Sequence, residues 1–487
     1  MNRETEYYIG LVQELRKLPK ETEWVEFKKN NDNPQEIGEY ISALSNSAAF
    51  NGKTHGYMLW GIENETHDLV GTDFKPSIAK KGNEPLETWL HRLLAPAMHF
   101  IFHEVSVEGR TVVILEIPRA SKHPVSFSGT EYIRIGEVKK PLKGALDREA
   151  ELWRIFDKTP FEELVAAERV SADDVLQLLD YPAYFDLLEI PLPSNRDGIL
   201  VALAEDGLIC RCNAGGWNIT NLGAILFAKR LDKFKVLRRK AVRVIRYTER
   251  GRTETLKELP PMEKGYAAGF EELMARINDL VPAKEEVGQA LREPMPMIPS
   301  SPVRELVANA LIHQDFFVTG AGPMVEIFSD RIEITNPGEP LVDTRRFLDT
   351  PPKSRNEDLA SLMRRFRICE ERGIGIDKAV SQTELHLLPA PLFEVPPGFT
   401  RAVLFGYKKI KDMDKADRIR ACYLHACLKY VERDCLTNAS LRIRFGIKEK
   451  NKASVSRFIR EAVEEGMIKP FDQSASRKMM KYVPFWT

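Results

Sequence analysis

The chain has 487 residues, of which 43% are hydrophobic and 29% charged. That is the make-up of a folded globular protein of three or four domains, and it excludes disordered, collagenous and disulfide-scaffold classes. The 71 Lys and Arg balance the 71 Asp and Glu, no apolar run is long enough to span a bilayer, and the start Met1-Asn-Arg-Glu-Thr-Glu6 lacks an apolar secretory core, so no membrane partner and a cytoplasmic location are expected.

In chain order, residues 5–18 read as a helix, 21–29 as a strand, 35–50 as a helix and 54–63 as a strand. Further strands are expected near 102–107, 110–118 and 130–135, which makes a small α/β domain over residues 1–145. In Glu21-Thr-Glu-Trp-Val-Glu-Phe-Lys28 the residues alternate: Val25 and Phe27 face one way, Trp24, Glu26 and Lys28 the other. Two carboxylates and a lysine on one strand suit a divalent cation and a phosphate. They equally suit a solvated strand face with a Glu26–Lys28 pair.

The run Glu26-Phe-Lys-Lys29, Tyr40-Ile-Ser-Ala-Leu-Ser-Asn-Ser-Ala-Ala49, Gly56-Tyr-Met-Leu-Trp-Gly-Ile-Glu-Asn64 and Glu131-Tyr-Ile-Arg-Ile-Gly136 resembles the Schlafen AlbA-type domain. The resemblance implies nucleic-acid binding, with Lys28 among the contacts. In nuclease-type Schlafens it implies a metal-dependent RNA-cutting site of two Glu and one Asp, acting on transfer and ribosomal RNA. Glu21 and Glu26 match the first two. The third position falls at or beside Asn64, which is not a carboxylate, so Glu63 or Glu65 would have to complete a Mg²⁺ or Mn²⁺ site.

Residues 147–157 read as a connecting helix. Residues 146–235 then hold helices at 173–179 and 197–206, with Gly207 as a stop and a turn at 214–216, an order similar to a small winged-helix element.

Residues 236–407 carry the most specific pattern. Pro302-Val-Arg-Glu-Leu-Val-Ala-Asn-Ala-Leu-Ile-His-Gln-Asp-Phe316 puts Glu305, Asn309 and His313 on one helix face, opposite Val303, Leu306, Val307, Ala310 and Leu311. Glu305 can orient or deprotonate a water, and Asn309 offers a neutral oxygen to Mg²⁺. Met324 to Ile334 reads as a strand, followed by Asn336-Pro-Gly338. Glu371-Arg-Gly-Ile-Gly-Ile376 precedes a helix whose free N–H groups suit a phosphate. This order resembles the ATP-binding module shared by gyrases, histidine kinases, mismatch-repair proteins and heat-shock chaperones, the GHKL class. More narrowly it resembles the C-terminal part of helicase-like transcriptional regulators. The resemblance implies an α/β sandwich that binds ATP and Mg²⁺, often as a homo-oligomer. It makes Glu305 the water-activating acid, Asn309 the Mg²⁺ ligand, and Gly338, Gly373 and Gly375 the glycines of the nucleotide site. The stretch 343–358, with Lys353 and Arg355, would be the lid. Where that class has an adenine-reading Asp, this chain has Asn336. No Gly-x4-Gly-Lys-[Ser/Thr] loop exists, which excludes a P-loop helicase.

Residues 408–487 hold 19 basic against 10 acidic side chains and the rest of the chain 52 against 61, so a basic end sits on an acidic body. Helices are expected from Asp417, from Thr437 or Asn438, and from Asn451 to Glu465, then strands at Ile468 and Met479–Val483. The order resembles a winged helix. It would present Lys450, Lys452, Arg457 and Arg460 to nucleic acid, or serve as a protein contact. The six cysteines show no zinc spacing and read as reduced.

The expected architecture is therefore a multidomain α/β and α+β chain: an ATP-binding, slowly hydrolysing regulator of transcription or phage defence that engages DNA or RNA. The alternatives are an ATP-controlled RNase and a non-catalytic interaction protein.

Overall fold

The computed structural model describes residues 3–18, 22–121, 123–158, 160–212, 216–287, 292–370, 375–472, 474, 476 and 479–487. The chain divides into two compact units, residues 1–160 with 211–217, and residues 161–210 with 218–487.

The first unit is built on a four-stranded sheet in the order Val25–Lys28, His55–Trp60, Arg110–Pro118, Ile101–Val107. Its first two strands are parallel, from Val25 opposite Tyr57 to Lys28 opposite Trp60, and the other pairs are antiparallel. A parallel neighbour needs a crossover, and the Pro34–Phe50 helix supplies it. That helix starts where Asn33 accepts from the N–H groups of Gln35 and Glu36, with proline in the first turn. Ile37, Ile41 and Leu44 join Trp60, Leu115 and Phe127 in one core, while Val25, Phe27 and Leu59 face a second core with Leu11 and Val12 of the Arg3–Arg16 helix. Trp24 packs against this second core as well, not on the Glu26 side as simple alternation predicts, because it precedes the strand.

The small polar residues of the crossover helix explain its Ser-x-x-Ser-Asn-Ser run. Asn46 accepts from the Val125 N–H at 2.7 Å and donates to the carbonyls of Val125 and Tyr132 at 2.9 and 2.8 Å. The hydroxyl of Ser42 accepts from Tyr132 N–H, and that of Ser47 accepts from Arg134 N–H. Side chains of a helix thus satisfy backbone groups of the Thr130–Ile135 strand that would otherwise be buried without partners.

The second unit is organised by a six-stranded sheet in the order Thr255–Glu258, Arg243–Tyr247, Met324–Ile327, Arg331–Pro337, Phe399–Phe405, Leu392–Glu394. The sequence reads Met324 to Ile334 as one strand, but the chain reverses after Ile327 and Val325 pairs with Ile334. This hairpin sets Glu326 directly opposite Glu333. Like charges across a strand pair repel, and Arg252 resolves it by bonding Glu326 with Nε and Nη2, both at 2.7 Å, and Glu333 with Nη2 at 3.0 Å. On the sheet's other face lies the Ser300–Ile312 helix, which packs along the Gly375–Leu385 helix.

The helices expected at 173–179 and 197–206 are Ala172–Leu178 and Arg196–Glu205, and they start at Ser171 and Asn195 caps. Just ahead of them, Glu162 accepts from the N–H groups of Asp358 and Leu359 at 2.9 and 3.0 Å, and so closes the first turn of the Glu357–Arg365 helix in place of a local cap. Near the C-terminus come three helices, Lys415–Val431, Asn438–Arg444 and Lys452–Glu464, and a two-stranded sheet pairing Ile468–Pro470 with Tyr482–Pro484. Asp414 and Thr437 cap the first two. These helices share one core with Val380 of the Gly375–Leu385 helix and with Leu348. All six cysteines are free thiols, and burial pushes those of Cys422 and Cys427 up to about 12.

Within that junction Glu384 meets His425 Nδ1 at 2.9 Å and Arg444 Nε at 3.2 Å, and the Arg444 side chain is only 1% exposed. Removing one partner of a buried pair leaves an uncompensated charge. Replacement of Arg444 by methionine is therefore expected to lower the stability of the second unit by about 3 kcal/mol, measured as a shift in the urea unfolding midpoint.

Candidate functional site

A cavity of about 800 Å³ opens between the Ser300–Ile312 helix, the sheet and the 340–357 segment. That volume is in the range of small-molecule and cofactor sites. Glu305, Asn309, Asn336, Lys353, Arg355 and Gly375 all line it, so residues 70 positions apart in sequence converge on one wall system. The expected lid stretch forms one of those walls, through Phe347, Thr350 and Pro352 among others. Gly373 lies outside the described residues.

The helix face carrying Glu305 is not solvated. Glu305 is 6% exposed, and the apolar stripe behind it, Val303, Leu306, Val307 and Leu311, is buried too. A carboxylate so placed needs a cation, and Lys378 Nζ donates to its Oε1 at 3.0 Å. Lys378 Nζ also stands 3.7 Å from Glu370, another cavity residue. Gly375 begins the second helix and approaches closely. A Cβ there would lie 3.0 Å from Glu305 Oε2 and 3.7 Å from Asn309 Nδ2. The first-turn N–H groups of an 11-residue helix therefore open beside the acid and the amide.

Asn336 is buried on the Arg331–Pro337 strand, and its Nδ2 donates to the Pro337 carbonyl at 3.2 Å. Directly across the strand pair is Thr400, which also lines the cavity and donates its hydroxyl to the Gly338 carbonyl at 2.7 Å. Gly338 itself adopts φ +100°, and a Cβ there would lie 2.8 Å from Asp315 Cβ, so only glycine fits. Arg355 holds this turn to the helix end, donating to the carbonyls of Glu339 at 2.6 Å and His313 at 3.4 Å. The neighbouring Asn356 donates to the carbonyls of Ile312 and Gln314 at 2.7 and 2.9 Å. Burial, with Arg355 and Arg364 nearby, holds His313 down to about 4, so it is neutral at physiological pH. Burial lifts Asp377, in the first turn of the second helix, to about 6.

Sequence reasoning missed Lys378, Glu370, Asn356 and Thr400. The polar Thr400 opposite Asn336 would be legible only once the register of two strands 60 positions apart is known. Lys378 carries no local signal, because its partner is 73 residues away.

In the first unit the described residues of the expected nuclease set, Glu26 and Glu63, are each paired with a cation. Glu21 lies outside the described residues. Glu26 is 2% exposed, with Arg134 Nη1 2.8 Å from its Oε2 and Lys28 bonded to its Oε1. Two cations already neutralise this buried carboxylate, so a metal ion beside it would add a third positive charge and compete with both. Glu63 is half-exposed and pairs with Lys29 at 3.5 Å. No group of three His, Cys, Asp or Glu suited to a metal occurs among the described residues. Lys28 is largely buried by its pair with Glu26 and stands over the Tyr40 ring at 5.1 Å.

The basic residues near the C-terminus are exposed. Lys450 and Lys452 flank the start of the Lys452–Glu464 helix, and Arg457 and Arg460 follow at one-turn spacing on its open side. Their carboxylate partners, Glu461 and Glu464, lie one turn on at 3.8 and 4.0 Å, loose surface pairs that leave the guanidinium groups available. No helix among the described residues is long and apolar enough to cross a membrane.

No curated protein matches the chain. Among solved structures, the DIP2311 protein from Corynebacterium diphtheriae is 17% identical over 99% of this chain and 97% of its own, with a TM-score of 0.41. The N-terminal domain of a "Putative ATP-dependent DNA Helicase RecG-related Protein" from Nitrosomonas europaea is 22% identical over 29% of this chain and 93% of its own, with a TM-score of 0.19. Residues 320–404 match the family described as "Putative ATP-dependent DNA helicase recG C-terminal", a span that takes in Asn336, Gly338, Lys353, Arg355, Gly373 and Gly375 and begins beyond Glu305 and Asn309. Residues 21–143 match the Schlafen, AlbA_2 family, so the chain joins a region similar to Schlafen AlbA_2 to one similar to the recG C-terminal family.

Proposed function

We propose that the protein binds ATP in the 800 Å³ cavity and uses it to gate nucleic-acid engagement, with slow hydrolysis resetting the state. The observation that carries this reading is the Gly375–Leu385 helix. It starts against Glu305 and Asn309 in the cavity and ends at Glu384, clamped by His425 and Arg444 of the C-terminal helices. A second tie supports it: Tyr423 donates to the carbonyl of Arg345, in the cavity's 340–357 wall, and Trp486 donates to the Tyr423 hydroxyl at 3.1 Å. A ligand that moves either the wall or the helix loads the C-terminal domain directly.

In this reading the phosphates meet the N–H groups at the start of the Gly375–Leu385 helix, with Lys353 on the same cavity. The Asn336 amide donates to Pro337, which leaves its oxygen to accept from the adenine amino group. Glu305 orients the attacking water and takes its proton. Asn309 fits Mg²⁺, since its amide oxygen is a hard neutral donor and this ion needs few protein ligands when phosphates supply the rest. Bound Mg²⁺ neutralises phosphate charge. The C-terminal helices and strands act as a winged helix that presents Lys450, Lys452, Arg457 and Arg460 to a nucleic-acid backbone. The Schlafen AlbA_2-type region, with Glu26 committed to Arg134 and Lys28, binds nucleic acid without cutting it. Transcription control and phage defence both suit such a device, as does a homo-oligomer assembled around the nucleotide.

Calorimetry with Mg²⁺ and ATP tests the site. Asn309→Ala is expected to weaken binding at least tenfold, whereas Glu305→Ala keeps binding within a few-fold and loses turnover by roughly 100-fold. A chain that binds no adenine nucleotide would instead be an interaction protein. Gating is tested with Glu384→Gln and Tyr423→Phe. Both are expected to retain ATP binding while the difference in nucleic-acid affinity with and without ATP disappears. In salt titrations of nucleic-acid binding, Arg457→Ala and Arg460→Ala should each reduce the log–log slope by about 1.

A further inference from the structure

We infer that Lys378 is a positioning residue for ATP turnover: it holds one oxygen of Glu305 so that the other faces the phosphate side of the cavity. This rests on the ATP-binding reading above and adds a residue to it. Lys378 Nζ bonds Glu305 Oε1 at 3.0 Å, while Oε2 points toward the Gly375 backbone, where a Cβ would come within 3.0 Å of it. The two carboxylate oxygens are thus inequivalent. One is held by an ammonium group and the other borders the gap that glycine leaves at the start of the second helix. Lys378 itself is 44% exposed and Glu305 only 7%, so the lysine bridges solvent and the buried acid. Glu370 draws Lys378 from the other side at 3.7 Å. Cys369 is held neutral by burial, which raises its thiol to about 11. From the strands, Asn336 and Thr400 present neutral groups.

The chemistry balances without a further reactant. The oxygen of a water held by Oε2 forms a bond to the γ-phosphorus. The bridging P–O bond to the β-phosphate breaks, its electron pair leaves on ADP, and the water proton passes to Oε2. With Lys378 removed, the Glu305 carboxylate rotates freely and Oε2 is no longer fixed beside Gly375, so the loss falls on the reacting geometry and not on nucleotide binding.

The test compares Lys378→Met, Lys378→Gln and Lys378→Arg with the wild-type full-length chain, in ATP hydrolysis and in calorimetric ATP binding. The expected result is a fall in kcat of at least tenfold for the Met and Gln variants, a KM and a binding constant within about threefold of wild type, and recovery of most of kcat in the Arg variant, which restores a cationic donor. Unchanged kcat in the folded Met or Gln variant overturns the proposal. So does a raised KM with kcat intact, which would make Lys378 a phosphate contact. A wild-type chain that binds ATP without turning it over removes the positioning role and leaves the binding site standing. A wild-type chain that binds no ATP removes both.

Discussion

The second unit depends on how closely two helices approach through a glycine. The Ser300–Ile312 helix buries its acid as well as its apolar side, so Glu305 can only be accommodated where a partner leaves room. Gly375 leaves it, since any side chain there would press on Glu305 and Asn309. From that contact the geometry spreads. The cavity opens in front of it, Lys378 one turn further neutralises Glu305, and three turns on Glu384 reaches the C-terminal core. Buried charge, normally a cost, here has its counter-charge supplied at each end of one 11-residue helix.

The first unit solves a different problem with similar economy. Its crossover helix must lie against a strand whose backbone groups have no sheet partner on that side. Ser42, Asn46 and Ser47 meet those groups instead. The same strand delivers Arg134 to Glu26, so the carboxylate that the Schlafen resemblance marks for metal chemistry is also a paired group within the packing. Sequence position alone does not distinguish the two roles, because the deciding partner is more than 100 residues away.

That distance marks the limit of what could be read from the chain. Elements with local signals were legible nearly to the residue: the helices expected at 35–50 and 173–179 are Pro34–Phe50 and Ala172–Leu178, Thr437 caps the helix expected from it or Asn438, and the strands expected near 102–107 and 110–118 are Ile101–Val107 and Arg110–Pro118. The convergence of Glu305, Asn309, Asn336 and Gly375 was legible because the spacing of several motifs is informative together. What escaped was set by tertiary pairing. The Met324–Ile334 run has strand composition throughout, and the carboxylates that its folding back sets face to face are met by Arg252, with Tyr247 on Glu326 and Arg331 on Glu333. Lys378 and Thr400 sit in unremarkable stretches and acquire meaning from residues far along the chain.

Arg355 and Asn356 tie the wall of the cavity to the C-terminal end of the Ser300–Ile312 helix through three backbone carbonyls, and to the Gly338 turn through a fourth, that of Glu339. This fixes where the wall can bend. The 355–356 end is anchored like a doorpost, and the carbonyl of Arg345 is held by Tyr423 at the other side. Between them Leu348 is buried in the core of the C-terminal helices, so the wall meets that domain at two points, Leu348 and the Tyr423 contact. The cavity and the C-terminal helices thereby share one stretch of wall, residues 345–356.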